Sequence, residues 1–253
     1  MSVTVILNSY RRPQALREQY EAVKNQTYKH IEIMLWSNYY SGVTQDIPLD
    51  IAESCAYASC NKNLGVWARF AFALNAHTKY ICVLDDDTIP GKRWIENCIQ
   101  TMGTHRGLLG CRGVRMNGND HLNYPRCDYT SIEGNTDNVE RVDIMGHCWF
   151  FEREWLRLFW GNMPSVSLLQ GGEDMHFSYV LQKELSLYTY VPPQPRDDKE
   201  MWGSMNASKY GEDAVATSRT SEGFSQSNMY WNFIMSKGYK LVKDSDDTNS
   251  IRH

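Results

Sequence analysis

Three consecutive carboxylates, Asp85, Asp86 and Asp87, have the residue type and spacing for metal chemistry. They follow residues 80–84, an apolar run that is typical of a buried strand. Adjacent negative charges repel one another, and a divalent cation is the usual charge that offsets this repulsion. Because alternate residues of an extended chain point to opposite sides, we expect Asp85 and Asp87 on one side. The triplet therefore predicts a metal site that can bind a diphosphate; a solvated acidic turn or a helix N-cap is the alternative interpretation.

The elements that must position this triplet alternate between strand and helix over the first hundred residues. Apolar and amphipathic patterns predict strands at 3–8, 31–36 and 80–84, a short strand near 50–52, and helices at 12–26, 64–76 and 90–102. The alternation predicts an α/β fold with a mostly parallel central sheet and helices on both faces. Ligands bind such sheets at the carboxyl ends of the strands, where Asn8, Asn38 and the three aspartates lie.

The second half of the chain is less regular. Its patterns predict strands at 108–112, 142–151 and 187–191, and helices at 173–184 and 227–235. Two glycines, Gly171 and Gly172, stand immediately before the first of these helices. Two acidic residues follow them in the first helical turn, where the helix dipole favours negative charge.

The composition is that of a globular protein, with 42% hydrophobic and 22% charged residues. A net charge of −4 argues against nucleic acid as the main partner, because domains that bind nucleic acid are normally basic. No apolar run reaches the roughly 18–20 residues that span a bilayer, and the N-terminus lacks the basic start of a secretion signal. The 7 cysteines show no CxxC spacing, which supports neither a zinc site nor a disulfide framework. We therefore expect a soluble, cytoplasmic protein.

Five motifs resemble, in order along the chain, those of the GT-A glycosyltransferases, in particular the family-2-like group. They are residues 3–12, Asn25-Gln26-Thr27-Tyr28 with Ile31-Glu32-Ile33, residues 61–69, the strand that ends in Asp85-Asp86-Asp87, and Gly171-Gly172-Glu173-Asp174. The resemblance covers roughly residues 3–190, and the sequence is also similar to the glycosyltransferase domain encoded by chlorella viruses. It implies a Rossmann-like GT-A fold in a single domain over 1–253. Within that domain we expect a nucleotide-sugar-binding half at 1–103, an acceptor-binding and catalytic half at 104–191, and a C-terminal extension at 192–253 that is a candidate lid.

The resemblance assigns residues to the side of the site that binds the donor. Asp87 would bind Mn²⁺ or Mg²⁺, and Asp85 would bind the same metal or the ribose. Arg69 would approach the diphosphate, with a surface ion pair as the alternative. Asn38 stands where the family has an aspartate that contacts uracil, a departure that weakens the inference of a uracil base. The full donor-binding set is Asn8, Ser9, Tyr10, Arg12, Asn38, Arg69, Asp85 and Asp86.

The resemblance also assigns the catalytic side. Asp174 would be the general base that takes a proton from the acceptor, and the helix dipole is expected to keep it ionised. His147, Trp149 and Glu173 are the candidates for acceptor binding, although Trp149 fits core packing equally well. The implied activity is transfer of a sugar from a nucleotide-sugar, expected to be a UDP-sugar, to the hydroxyl of a glycan or another acceptor. Inversion is favoured because a base carboxylate suits a single displacement.

Other interpretations of the acidic triplet remain open. A phosphatase of the haloacid dehalogenase class is disfavoured, because its motif has Thr or Val at the position where this chain has Ile89. A sugar-phosphate nucleotidyltransferase requires a glycine-rich loop after the first strand, and residues 8–13 contain no glycine. A non-catalytic module that binds nucleotide-sugars or glycans would use the same cleft, and release of UDP from a UDP-sugar would distinguish it from an enzyme.

Overall fold

The computed structural model describes residues 1–41, 46–117, 128–164, 170–205, 210 and 220–245. Within them the strands are β1 (Val3–Ser9), β2 (Ile31–Ser37), β3 (Ala56–Ser59), β4 (Tyr80–Leu84), β5 (Gly107–Leu109), β6 (Arg112–Met116), β7 (Tyr129–Glu133), β8 (Glu140–Val142), β9 (Ile144–Gly146), β10 (Cys148–Glu152) and β11 (Tyr188–Val191). The helices are α1 (Leu16–Lys24), α2 (Leu49–Ser54), α3 (Ala68–Phe72), α4 (Trp94–Thr104), α5 (Leu156–Gly161), α6 (Glu173–Leu185) and α7 (Ser221–Ser236).

In the described residues the central sheet has eight strands, in the order β3-β2-β1-β4-β10-β5-β11-β8. Strand β10 runs antiparallel to both β4 and β5, and β8 runs antiparallel to β11, whereas the other neighbours are parallel. A smaller antiparallel sheet has the order β7-β6-β9. The predicted α/β fold with a mostly parallel central sheet is confirmed.

Strands β1, β2 and β4 end at the same edge of this sheet. The parallel register pairs Ser9 with Ser37 on one side of β1 and Ile6 with Val83 on the other. All five residues of β4 are buried, as expected for a parallel strand covered on both faces, which is why it forms a continuous apolar run. The acidic triplet directly follows this run and therefore starts where the three strands end.

The second half differs from the sequence prediction in its strand boundaries. The single strand predicted at 142–151 is three strands, β8, β9 and β10, because the chain passes between the two sheets at this point. His147, between β9 and β10, has a φ of 65°, which breaks the extended conformation. The strand predicted near 50–52 is also wrong: those residues form α2, and β3 starts at Ala56.

Residues 192–205, the first part of the expected C-terminal extension, lie against α4. The Asn97 side-chain amide donates to Pro193 O at 2.6 Å and to Met201 O at 3.0 Å. Gly91 N donates to Trp202 O at 2.8 Å, which joins the same segment to the loop after the acidic triplet. Most of the candidate lid, residues 206–209 and 211–219, lies outside the described residues. None of the described helices combines the length and the apolar character needed to cross a membrane.

Candidate active site

The acidic triplet is held in place by the strand that runs antiparallel to β4. The register pairs Cys148 with Leu84, so the preceding residue, His147, lies opposite Asp85. His147 O accepts hydrogen bonds from Asp85 N at 3.0 Å and from Thr88 Oγ1 at 2.9 Å. The left-handed backbone at His147 thus places its carbonyl on the turn and its imidazole beside the carboxylates.

Asp85, Asp87 and His147 form a group whose ligand atoms lie within 4.8 Å of one another. His147 Nδ1 is 3.6 Å from Asp87 Oδ1. Burial opposes the charge of Asp87, but His147 and then Arg12 outweigh it and lower the pKa of Asp87. Burial likewise opposes the charge of His147, and Asp87 and Asp85 together raise the pKa of the imidazole. The sequence placed His147 on the acceptor side, and the structure places it with the two aspartates.

Asp86, the middle residue of the triplet, turns away from this group towards the loop after β1. Arg12 Nη1 donates to Asp86 Oδ1 at 2.7 Å, and Arg11 N donates to Asp86 Oδ2 at 3.0 Å. Arg12 Nη1 also lies 3.4 Å from Asp87 Oδ2. Burial raises the pKa of Asp86 to about 6 in spite of Arg12. One buried guanidinium therefore connects the loop after β1 to two of the three aspartates.

Arg69, at the start of α3, connects the triplet to the start of α6. Its guanidinium contacts Asp85 and donates to Glu173 Oε1 at 2.8 Å. It lies over the Trp149 ring, 4.3 Å from the ring centroid. Burial opposes its charge, but Asp85 and Glu173 raise the pKa of Arg69. Arg69 and Glu173, which the sequence assigned to donor and acceptor, thus form one ion-pair chain supported by the buried ring of Trp149.

Asp174 is partly exposed and stands beside this chain, in the first turn of α6. Its Oδ1 accepts a hydrogen bond from Met175 N at 2.7 Å. The helix dipole favours the ionised form of Asp174, but burial opposes it. Burial, assisted by the charge of Glu173, raises the pKa of Asp174 to about 8, and the dipole of one helix end is too weak to reverse this.

The expected nucleobase residues form a hydrogen-bonded chain through Asn63. Asn63 Oδ1 accepts from Gly65 N at 2.8 Å and from Asn38 Nδ2 at 2.9 Å, and Asn63 Nδ2 donates to Tyr10 Oη at 2.8 Å. Asn38 Oδ1 accepts from Leu64 N at 3.0 Å. These backbone donors settle the orientation of both amides, so Asn38 directs its oxygen at the protein.

The remaining donor-side candidates lie on β1, and two polar residues of the site were missed. Asn8 is partly exposed, and Ser9 O accepts from Asn38 N at 2.8 Å. Sequence reasoning missed Gln19 on α1, whose buried amide donates to Asp85 O and Thr88 O, each at 2.7 Å. It also missed Asn63, whose side-chain amide links Asn38 to Tyr10. A polar residue on an otherwise apolar helix face is the signal that could have indicated Gln19.

The fold is similar to that of solved glycosyltransferase structures at low sequence identity. S. aureus TarS matches with a TM-score of 0.52 and 14% identity, over 76% of this chain and 37% of that one. TarS 1–349 in complex with UDP-GlcNAc matches with a TM-score of 0.51 and 13% identity, over 79% and 60%. GalNAc-T7 with UDP, GalNAc and Mn²⁺ matches with a TM-score of 0.56 and 14% identity, over 76% and 42%. The chain thus spans less than two thirds of each of these proteins, and the likeness shows the GT-A fold.

Sequence comparison identifies the family directly. A search of curated proteins finds no match. The family model described as "Glycosyl transferase family 2" matches residues 4–159, which include the acidic triplet, Arg69 and His147. This region is more than half of the chain and carries the whole candidate metal group. The chain belongs to glycosyl transferase family 2.

Proposed function

We propose that the chain is a metal-dependent glycosyltransferase that transfers a sugar from a UDP-sugar to a hydroxyl of a carbohydrate acceptor, with inversion. The observation that carries the proposal is the convergence of Asp85, Asp87 and His147 at the carboxyl ends of the parallel strands. The family and the UDP-GlcNAc complex of TarS support a nucleotide-sugar donor. The Mn²⁺ in GalNAc-T7 supports a divalent cation.

The donor set of this group fits Mn²⁺ or Mg²⁺. Two carboxylates supply hard oxygen ligands, and the imidazole of His147 adds a nitrogen that Mn²⁺ accepts more readily than Mg²⁺ does. A bound cation would stabilise the negative charge of the departing diphosphate. Arg12 lies close enough to Asp86 and Asp87 to hold both carboxylates in place as the donor binds.

Asp174 supplies the base in the proposed reaction. The acceptor oxygen attacks the anomeric carbon, the bond from that carbon to the UDP oxygen breaks, and the acceptor proton passes to the Asp174 carboxylate. A single displacement of this kind inverts the anomeric configuration. A raised pKa suits the role, because a general base works best when its pKa is close to the working pH. The ion pair with Arg69 fixes the carboxylate of Glu173 next to Asp174, where its negative charge helps to raise the pKa of Asp174.

The alternative functions differ in what supports them. Membership of glycosyl transferase family 2 removes the support for a phosphatase of the haloacid dehalogenase class. A module that binds a nucleotide-sugar without reacting it would keep the metal group and show no turnover. The viral relationship and the cytoplasmic location are expectations from the sequence alone.

The test measures UDP binding by calorimetry, with and without Mn²⁺, and UDP release from UDP-GlcNAc and a panel of other UDP-sugars. We expect Asp87→Asn to abolish the Mn²⁺ dependence of UDP binding and to stop turnover. Asp50→Asn is the matched control, because Asp50 pairs with Arg17 on the exposed surface. Mn²⁺-stimulated turnover in Asp87→Asn at the wild-type level would refute the metal site. Mn²⁺-dependent binding without turnover of any donor would favour the binding module.

A further inference from the structure

The C-terminal helix α7 packs directly on the turn that carries Asp174. Gln226 Oε1, on α7, accepts a hydrogen bond from Gln170 N at 2.8 Å. One turn further along the helix, the Tyr230 hydroxyl contacts His176 Nδ1. One contact lies at the start of residues 170–174, which we call the catalytic turn, and the other lies two residues after its end. Both come from a part of the chain beyond the family match at residues 4–159.

The two glycines of the catalytic turn are explained by this contact. A Cβ on Gly171 would lie 2.6 Å from Ser227 Oγ and 3.3 Å from Gly223 O, both on α7. A Cβ on Gly172 would lie 3.0 Å from Tyr230 Cβ, and Gly172 also has a φ of 89°. Side chains at these positions would push the turn away from the helix. The backbone of the turn therefore lies on the surface of α7 without any side chain between them.

The catalytic turn is also held by Trp67, which packs against Tyr230 of α7 with ring centroids 6.4 Å apart. The Trp67 indole Nε1 donates to Gly171 O at 3.1 Å, and the Trp67 ring lies 5.1 Å from the His176 ring. Trp67 directly precedes α3, the helix that carries Arg69. The turn is thus clamped by the start of α3 and by the face of α7.

His176 completes the clamp as a neutral imidazole. Burial lowers its pKa to about 4. A neutral imidazole has one donor, and Nε2 lies 2.7 Å from Phe159 O, which can only accept. Nδ1 is therefore the acceptor for the Tyr230 hydroxyl. The structure buries His176 in the core, where it links α6 to α7.

We propose that α7 belongs to the catalytic apparatus, and that Gln226 and Tyr230 are positioning residues that hold Asp174 in place for proton transfer. The inference rests on the proposed role of Asp174 as general base. The candidate metal group lies just after β4 and just before β10, and within the described residues the contacts of Gln226 and Tyr230 across to the catalytic turn and α6 do not involve it. Loosening α7 should therefore reduce turnover and leave donor binding intact.

The test compares Gln226→Met, which removes the acceptor for Gln170 N at similar size, with Gln226→Glu, which retains it. Both are made together with Glu222→Gln, because Gln226 Nε2 donates to Glu222 Oε1 at 3.0 Å and a second carboxylate there would repel the first. Met229→Ala is the control, since Met229 is an exposed residue of the same helix. The substrate is the UDP-sugar that the wild type hydrolyses fastest. We expect Gln226→Met to lower kcat by about tenfold or more, because small displacements of a catalytic group are costly. In Gln226→Met we expect KM for the donor and UDP affinity to stay within about twofold of wild type, and the pH profile of kcat to shift. In Gln226→Glu we expect kcat to return towards the wild-type value.

A second pair of variants applies if Gln226→Met does not fold. Gly171→Ala should lower kcat by pressing on Ser227 Oγ, and adding Ser227→Ala should restore it, because the next nearest atoms are 3.3 and 3.6 Å away. Wild-type kcat in both Gln226→Met and Gly171→Ala, together with slow turnover in Asp174→Asn, would overturn the role of α7. Wild-type turnover in Asp174→Asn would instead refute the proposed base, whatever the α7 variants show.

Discussion

The metal group and the catalytic turn are held in place by different kinds of interaction. In the metal group, Asp85 and Asp87 pair with Arg69 and Arg12, and His147 O accepts a hydrogen bond from Asp85 N. The catalytic turn, residues 170–174, is held by close packing against Trp67 and α7, with hydrogen bonds to backbone atoms. Charge pairs tolerate small displacements, whereas a backbone packed on a helix does not. Arg69 connects the two regions by contacting Asp85 and Glu173.

The sharpest way to separate the two regions is to remove the base and keep its shape. We expect Asp174→Asn to slow transfer by about 10²–10⁴, the usual contribution of general base catalysis, with UDP and Mn²⁺ affinity unchanged. Donor affinity by calorimetry and single-turnover UDP release measure the two quantities separately. Lost donor affinity with unchanged turnover at saturation would mean that Asp174 serves the metal side.

At saturating donor and Mn²⁺, the pH dependence of turnover should report the ionisation of Asp174. Burial and then Glu173 raise the pKa of Asp174 to about 8, so the carboxyl is protonated at neutral pH and must lose its proton to act as a base. We expect kcat at saturating donor and Mn²⁺ to fall about tenfold per pH unit below pH 8. The residual rate in Asp174→Asn should be flat over the same range. A wild-type rate that is constant from pH 6 to 8.5 would contradict this assignment.

Arg69→Lys tests the connection between the two regions. An ammonium cannot reproduce the fork of the guanidinium, so one of Asp85 and Glu173 loses its partner. An unsatisfied buried charged group costs on the order of 1–3 kcal/mol, and where that cost falls on the transition state it slows turnover by about 5- to 160-fold. If Arg69 also contacts the diphosphate, UDP binding should weaken more than uridine binding. Equal weakening of UDP and uridine binding would restrict Arg69 to the ion-pair chain.

The smallest expected effect is a gain in stability on removing the charge of Asp174. Its pKa is near 4 in the unfolded chain and about 8 in the folded one, so folding is opposed progressively as pH rises between these values. Asp174→Asn removes this term and should raise Tm by about 5–10 °C at pH 8, because partial exposure of the carboxyl screens part of the shift. The gain should shrink towards pH 5 and be absent in the Asp50→Asn control. Thermal unfolding across this pH range measures it.

The strands that carry the candidate metal group were more predictable from the sequence than the surroundings of Asp174. The strand positions of β1, β2 and β4 follow from continuous apolar runs, and the ends of these strands place Asn8, Asn38 and the acidic triplet at one edge. The choice of His147 as the third member of the metal group depends on the pairing of β10 with β4, which crosses from residue 84 to residue 148. No local pattern records that pairing.

The clamp on the catalytic turn was not predictable for the same reason. The pair Gly171-Gly172 permits a close approach of the backbone, but no local pattern shows what it approaches; the structure shows that the glycines approach α7. The helix itself was predicted, at 227–235, and its place against residues 170–176 was not. Contacts that span about 55 residues depend on the whole packing of the core rather than on any local pattern.

The left-handed backbone at His147 restricts how this position can change during evolution. At a φ of 65° most side chains are strained, and Gly, Asn, Asp and His are the residues that adopt such a conformation most readily. Three of those four carry atoms that can coordinate a divalent ion. Random substitution under selection for folding alone would therefore tend to preserve a metal ligand at position 147. The backbone conformation at position 147 thus limits which substitutions the fold tolerates, before any selection on activity.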